Sequence, residues 1–370
     1  MKILYLNSTP FNSEMANLIQ VKAMCKAMSE LGHDVTLSLP GKKPDNIAKF
    51  SYQINFRKQW TKNKLDKYIS IIPLLKSIKK TKPDILFIRD PLILLYAYLF
   101  SRKQIIFETH NYILHQGFKS LDKFYHWLLK KSVAKGRVKT LVCISYALAN
   151  YWKHQGIPAD KIVAAHDGID IEMFNTNKTK KQAREELSLP KDKIIATYSG
   201  RLYANRKIDN ILSLASKFPE AFFVVVGGPD SNAQLFKSEA DEIHLKNILF
   251  TGQVKHEQVP DYLAASDILL ALWSSDVPTI NYCSPLKLFE YMAAKKIILA
   301  HGFPTIKEVL TDEENSLLVK IDDIDDLIKK LNIAIGLINN TYIPVNAYNE
   351  VKDKYTWKKR VESILDSITH

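Results

Sequence analysis

The chain opens with an apolar run, Ile3 to Leu6. A stretch follows in which Leu18, Val21, Met24, Ala27, Met28 and Leu31 recur at helical spacing, and then a second apolar run, Val35 to Leu39. Apolar positions three and four apart line one face of a helix, whereas short continuous apolar runs suit strands buried on both faces. The order predicts a β-α-β unit, with a helix over 15–31 whose start Asn12 or Ser13 caps. The runs Ile85 to Ile88, Ile105 to Phe107 and Leu141 to Ile144 are each followed by a loop and a helical pattern, and predict further strands of one parallel sheet.

This rhythm dissolves between Phe174 and Lys193, where Asn-Thr-Asn-Lys-Thr-Lys-Lys leads to Leu189-Pro190 with one short helical stretch at 182–187. Beyond it a second series begins, with strands over 194–198, 222–226, 248–251, 268–272 and 297–300 and helices over 208–217, 260–265 and 286–294. Residues 348–368 read as one helix with Trp357, Val361, Ile364 and Leu365 on one side. The expected fold class is α/β, with two Rossmann-like, doubly wound domains over 1–173 and 194–351 and a linker over 174–193. A length of 370 residues, more than one hydrophobic core usually spans, agrees with two domains.

Composition narrows the class. With 46% hydrophobic and 25% charged residues the chain has the balance of a soluble globular protein. The N-terminal apolar run is too short for a secretory signal, and Pro91 to Phe100 is about half of a bilayer span. Cys25, Cys143 and Cys283 are odd in number and far apart, which predicts neither zinc nor a disulfide framework and suits a cytoplasmic protein. The net charge of +13 is uneven: residues 1–173 carry 27 Lys+Arg against 13 Asp+Glu, and residues 174–370 carry 25 against 26. The first half therefore suits a polyanionic surface.

In parallel sheets ligands gather at the carboxyl ends of strands, which directs attention to three places. Ser199-Gly200-Arg201 follows a strand and leads through Arg206 and Lys207 into a helix, so cations gather at a helix start that already favours anions. This is either a diphosphate site or a solvated basic turn. Ser284-Pro285-Leu286-Lys287 begins the next helix of interest, whose first amides are free to meet an anion. Glu290 lies one turn on, either accepting from a ribose diol or simply exposed on the helix. Phe107-Glu108-Thr109-His110-Asn111 ends a strand of the first domain and offers His110 to a sugar hydroxyl or to a structural contact.

Taken in order, Gly32-His33-Asp34-Val35, Glu108 to Asn111, Ile144-Ser145, Gly168-Ile169-Asp170, Gly200-Arg201 to Lys207, Asn247 to Gly252 and Lys287 to Ala293 resemble glycosyltransferase family four over nearly the whole chain. The resemblance implies the GT-B fold, two Rossmann-like domains facing across a cleft, with the C-terminal helix (about 352–370) packing back on the first, acceptor-binding domain. It implies a retaining transfer of a hexose-type sugar from a nucleotide-diphosphate donor to a glycan or lipid-linked acceptor, in cell-surface polysaccharide or glycolipid assembly. Gly200, Arg201 and Lys207 then bind the diphosphate, aided by Ser284, Leu286 and Lys287. Glu290 takes the ribose, and His110 contacts the sugar; His110, Arg201 and Lys207 carry the catalysis. No cofactor is expected, and no metal, since no Asp-x-Asp pair stands in this context.

Two positions depart from the family pattern. The family often places a second glutamate eight positions before the first; Tyr282 stands there and becomes a candidate sugar contact. The loop after the first strand, Thr9 to Glu14, lacks the usual Gly-Gly, which makes Asn12 and Ser13, with Asn111, candidates for acceptor contact. Rival readings are a sugar-nucleotide epimerase on the same fold and an inactive partner subunit. A nucleic-acid partner is not expected, because the cations lack an interleaved stacking pattern. An anionic membrane surface is a partner the basic segments Phe118 to Lys139 and Arg57 to Lys82 suit, placing the protein peripherally on the cytoplasmic face; ordinary core-facing helices with a solvated lysine side suit them equally.

Overall fold

The computed structural model describes residues 1–11, 16–44, 49–58 and 71–369. Asn12, Ser13 and residues 59–70 of the basic stretch 57–82 fall outside the described residues. The chain forms two compact units: Met1–Asp167 with the segment from Trp357 on, and Gly168–Thr356.

The first unit is a parallel sheet of β1 (Lys2–Leu6), β2 (Asp34–Pro40), β3 (Gln53–Arg57), β4 (Ile85–Ile88), β5 (Gln104–Thr109), β6 (Val138–Cys143) and β7 (Ile162–Ala164). Their order is β3-β2-β1-β4-β5-β6-β7. Ile3, Leu4, Tyr5 and Leu6 are fully buried, as expected of a strand covered on both faces. The helices are α1 (Ala16–Glu30), α2 (Ile71–Thr81), α3 (Pro91–Phe100), α4 (Lys119–Ala134) and α5 (Tyr146–His154). The apolar run 91–100 becomes a helix because Asp90 caps it, accepting from the Leu92 amide at 2.8 Å, and Pro91 suits its first turn.

The second unit carries β8 (Ile194–Ser199), β9 (Ala221–Val226), β10 (Ile248–Gly252), β11 (Ile268–Ala271), β12 (Ile297–His301) and β13 (Leu317–Val319), in the order β10-β9-β8-β11-β12-β13, again all parallel. Its helices are α6 (Ile171–Phe174), α7 (Lys180–Glu186), α8 (Ile208–Lys217), α9 (Asp230–Glu242), α10 (Val259–Ala265), α11 (Leu286–Ala293), α12 (Ile324–Gly336) and α13 (Tyr342–Lys354). The two-residue period of β8 sends Ala196 and Tyr198 into one core and Ile195 into another.

Two expected features take a different form. Residues 174–193, expected as a linker, belong to the second unit, where a capping box at Thr179 starts α7. Arg184 on that helix is buried, donates to the carbonyls of Ala265, Lys191 and Lys193 and pairs with Asp267 at 2.6 Å. The single helix expected over 348–368 is two. Ile169 N–H donates to Tyr355 C=O at 2.9 Å and Ile169 bridges Thr356, which ends α13 and leaves α14 (Trp357–Thr369) to pack on α1 and β6 of the first unit. β3, β7 and β13, too short or too polar to stand out, join the sheets only through their neighbours.

Candidate functional site

In each sheet the strand order reverses beside the first strand of the series, between β1 and β4 and between β8 and β11, and the carboxyl ends there are where parallel sheets take ligands.

In the second unit β8 ends in Gly200, whose φ of +141° favours glycine and whose N–H donates to Val226 C=O at 2.9 Å. A Cβ on Gly227, at the end of β9, would stand 2.0 Å from the Gly200 carbonyl oxygen, so the two strand-end turns lie backbone to backbone. Gly227 was not among the residues singled out from the sequence, although Gly227-Gly228-Pro229 directly after an apolar run is the same kind of signal. Helix α11 is tied to this turn by Tyr291. Its hydroxyl oxygen accepts from the Ser199 amide at 2.8 Å and from Ser199 Oγ at 3.3 Å, and it donates to Leu270 C=O at 3.3 Å. The start of α11, with the amides of Leu286 and Lys287, is thereby set against the Gly200 turn.

The predicted donor residues are placed individually. Arg201 is exposed and donates to Tyr203 Oη at 2.9 Å. Lys207 adopts the left-handed conformation at the start of α8, and its ammonium pairs with Asp322 at 3.1 Å. The hydrogen bond to Asp322 raises the Lys207 pKa despite partial burial, so its charge is secure but already partnered. The Lys287 ammonium reaches under the Gly200 turn, where a Cβ on Gly200 would meet it at 2.8 Å. Tyr282 and Ser284 are buried. Glu290 Oε1 lies 2.9 Å from His256 Nε2, a partner the sequence reading missed. That hydrogen bond, against the effect of burial, raises the His256 pKa.

In the first unit Asn7 follows β1, Arg89 follows β4, and Thr109 and His110 end β5. They help to line a cavity of about 430 Å³, with Thr9, Asn17 and Asn111. Beneath it Glu108, 1% exposed, accepts from Arg89 Nε at 3.3 Å and Arg360 Nη1 at 3.2 Å and contacts His110 Nε2. Burial would raise the Glu108 pKa, but the guanidiniums of Arg360 and Arg89 outweigh it and hold the carboxyl well below the usual range. His110 is lowered by burial and by the charge of Arg89, so it is held neutral. Its Nε2 is contested: a proton there serves Glu108, and a lone pair there serves Arg89 Nη2 at 2.7 Å. The other ring nitrogen, Nδ1, lies 3.4 Å from Arg89 Nη2 on a side chain that is 27% exposed. Asn111 also reaches the cavity. Arg89 was missed in sequence although it directly follows a strand. Arg360 had no sequence signal, since it lies about 250 residues from its partner.

Among the described residues no group of three or more His, Cys, Asp or Glu is placed to hold a metal, and no helix is long and apolar enough to cross a membrane.

Comparison with known proteins bears on both units. The model of glycosyltransferase family 4 matches residues 19–173, and that of glycosyl transferases group 1 matches 179–337. The putative teichuronic acid biosynthesis glycosyltransferase TuaH of Bacillus subtilis is 26% identical over 151 residues, 40% of this chain and 36% of that protein. TuaC of the same organism is 32% identical over 118 residues, 30% of this chain and 28% of that protein, so the match spans about a third of these two relatives. An uncharacterized glycosyltransferase of Haemophilus influenzae is 24% identical over 352 residues, 90% of this chain and 88% of that protein. Among solved structures, sucrose-phosphate synthase from Thermosynechococcus elongatus superposes with a TM-score of 0.78 at 15% identity, covering 99% of this chain and 97% of that one. Anabaena HepE in complex with UDP-glucose does so with a TM-score of 0.75 at 14% identity, covering 100% and 99%.

Proposed function

We infer the reaction from the site and from one premise: the chain is a glycosyltransferase of family four with the two-domain GT-B fold. It transfers a hexose-type sugar from a nucleotide-diphosphate donor to a glycan or lipid-linked acceptor, with retention of configuration, in the assembly of a cell-surface polysaccharide or glycolipid. The observation that carries the donor half is the Gly200–Gly227 contact with the start of α11 fastened beside it through Tyr291. Two bare backbone turns and a helix start in one place form a floor against which a diphosphate can lie closely. That HepE was solved with UDP-glucose supports a nucleotide-sugar donor.

The difficult step is departure of the nucleoside diphosphate, because negative charge gathers on the phosphate as the anomeric bond breaks. Arg201, Arg206 and Lys207 stabilise that charge more in the transition state than in the ground state, since it grows as the bond breaks. The pairing of Lys207 with Asp322 holds that ammonium at the start of α8. Glu290 gives Oε1 to His256 and keeps Oε2 for the ribose diol. His110, neutral and seated on Glu108, offers a ring nitrogen to a sugar hydroxyl. The carboxamides of Asn7, Asn17 and Asn111 suit an acceptor rich in hydroxyl groups.

A peripheral site on an anionic membrane accompanies this reading. On α4 Phe124 and Trp127 are exposed, as is Phe118 just ahead of it (73%), among Lys119, Lys123, Lys130 and Lys131, and Leu99 and Phe100 are exposed on the neighbouring α3.

The test is a panel of UDP-, GDP- and ADP-sugars scored by release of free nucleoside diphosphate with and without acceptor. One donor class should be turned over, and Lys207→Ala should lower turnover by about two orders of magnitude. Full activity in that variant refutes the diphosphate assignment, and a rearranged sugar nucleotide without acceptor favours an epimerase.

A further inference from the structure

The Lys287 ammonium is buried, and among the described residues it meets no hydrogen-bond acceptor. It lies 3.9 Å from the centroid of the Tyr198 ring and 5.3 Å from that of Trp273. Aromatic faces attract a cation but do not satisfy three N–H donors, and an unsatisfied buried ammonium is costly to a fold. A structural lysine would be paired, as Lys180 is with Asp267 at 2.7 Å in the same unit. Lys287 instead points at the underside of Gly200, the one residue of the turn without a side chain to block it.

We propose that the Lys287 side chain, and not only its amide, is the innermost ligand of the donor diphosphate, held in reserve by Tyr198 and Trp273, and that the site gains a proton from solvent as the diphosphate binds. The proposal rests on the donor-site reading and adds to it the role of the Lys287 side chain and a proton linkage. The charged groups that face Lys287 are Arg206, from the turn before α8, and Glu290, one turn along α11. Burial first and then the repulsion of Arg206 lower the lysine pKa well below its usual value, with Glu290 opposing them. The Tyr198 hydroxyl is itself raised by burial and stays neutral, so it offers no counter-charge. A diphosphate brings the missing acceptors and the missing charge together. Binding then stabilises the protonated form, and nucleotide affinity declines as pH rises through the free-state value. No covalent bond is made or broken.

Titration calorimetry with UDP, GDP and ADP, at about pH 7.5 in two buffers of different protonation enthalpy, tests this. The wild-type protein should take up a fraction of a proton, up to about one, with the diphosphate that binds. Lys287→Met should abolish the uptake and weaken binding by about ten- to a hundredfold, while its thermal midpoint stays level or rises because an unsatisfied buried amine is gone. Wild-type binding with no buffer dependence overturns the proposal and leaves the donor site standing, as does undiminished affinity in Lys287→Met. Absence of binding by all three diphosphates overturns the donor-site reading and this proposal together.

Discussion

The backbone amide of Ser199 donates to the hydroxyl of Tyr291 at 2.8 Å, across 92 positions of chain. Ser199 ends β8 and Tyr291 lies in the second turn of α11, so this one contact registers a strand end against a helix start. Tyr291→Phe keeps the ring and leaves the buried Ser199 amide without its acceptor, at a cost of about 1–3 kcal/mol. We expect a lower denaturation midpoint and weaker nucleoside-diphosphate binding. A variant that melts lower but binds equally well would show that the contact serves stability alone.

Arg360 on α14 supports the other site from below. It pairs with Glu108 at 3.2 Å, donates to His166 C=O at 2.9 Å, and lies 3.9 Å from Asp167. Arg360→Met leaves a buried carboxylate short of one of its cations and should destabilise the first unit by about 3–5 kcal/mol. Glu108→Gln in the same chain should restore part of that loss, because the charge needing compensation has gone. Urea melts of the four members of the cycle measure it; strictly additive losses would refute the coupling.

The pair His256–Glu290 gives a pH dependence whose sign is set by the raised imidazole pKa. A folded-state value above the unfolded one, about 6.5, means that the pair's contribution is fully present below that pH and is lost as pH rises through the folded value. Wild type should therefore exceed His256→Gln in urea midpoint at about pH 6 and lose that margin by about pH 9. A margin that widens with pH would contradict the assignment.

The exposed aromatics of α4 give a lipid test. Trp127 is 49% exposed, with the Lys131 ammonium 4.4 Å from its ring. The wild-type protein should sediment with vesicles containing phosphatidylglycerol and not with pure phosphatidylcholine vesicles. Phe124→Ser with Trp127→Ser should leave it in the supernatant while the far-ultraviolet dichroism is unchanged. Indifference to lipid charge would return this surface to an ordinary solvated helix face.

Much of the architecture is legible along the chain because it is local. A strand covered by helices on both faces must be apolar throughout, and its helix must repeat its apolar side every three to four positions. Ile3 to Leu6, Ile194 to Tyr198 and the helix over 208–217 therefore announce themselves, and the rule that ligands gather at strand ends leads to Gly200 and His110. The tertiary structure decided what depends on partners far away in sequence. Gln53–Arg57 and Leu317–Val319 carry too weak a pattern and become strands only beside β2 and β12. Thr356 interrupts an otherwise helical stretch because Ile169 pairs with it. Lys207 is held by Asp322, Glu290 by His256 and Glu108 by Arg360, and no spacing along the chain encodes those pairs. Periodicity tells a residue which face it occupies; only the packing of one element on another tells it what it touches, and for buried charges such as Lys287 and Glu108 the neighbours determine the chemistry.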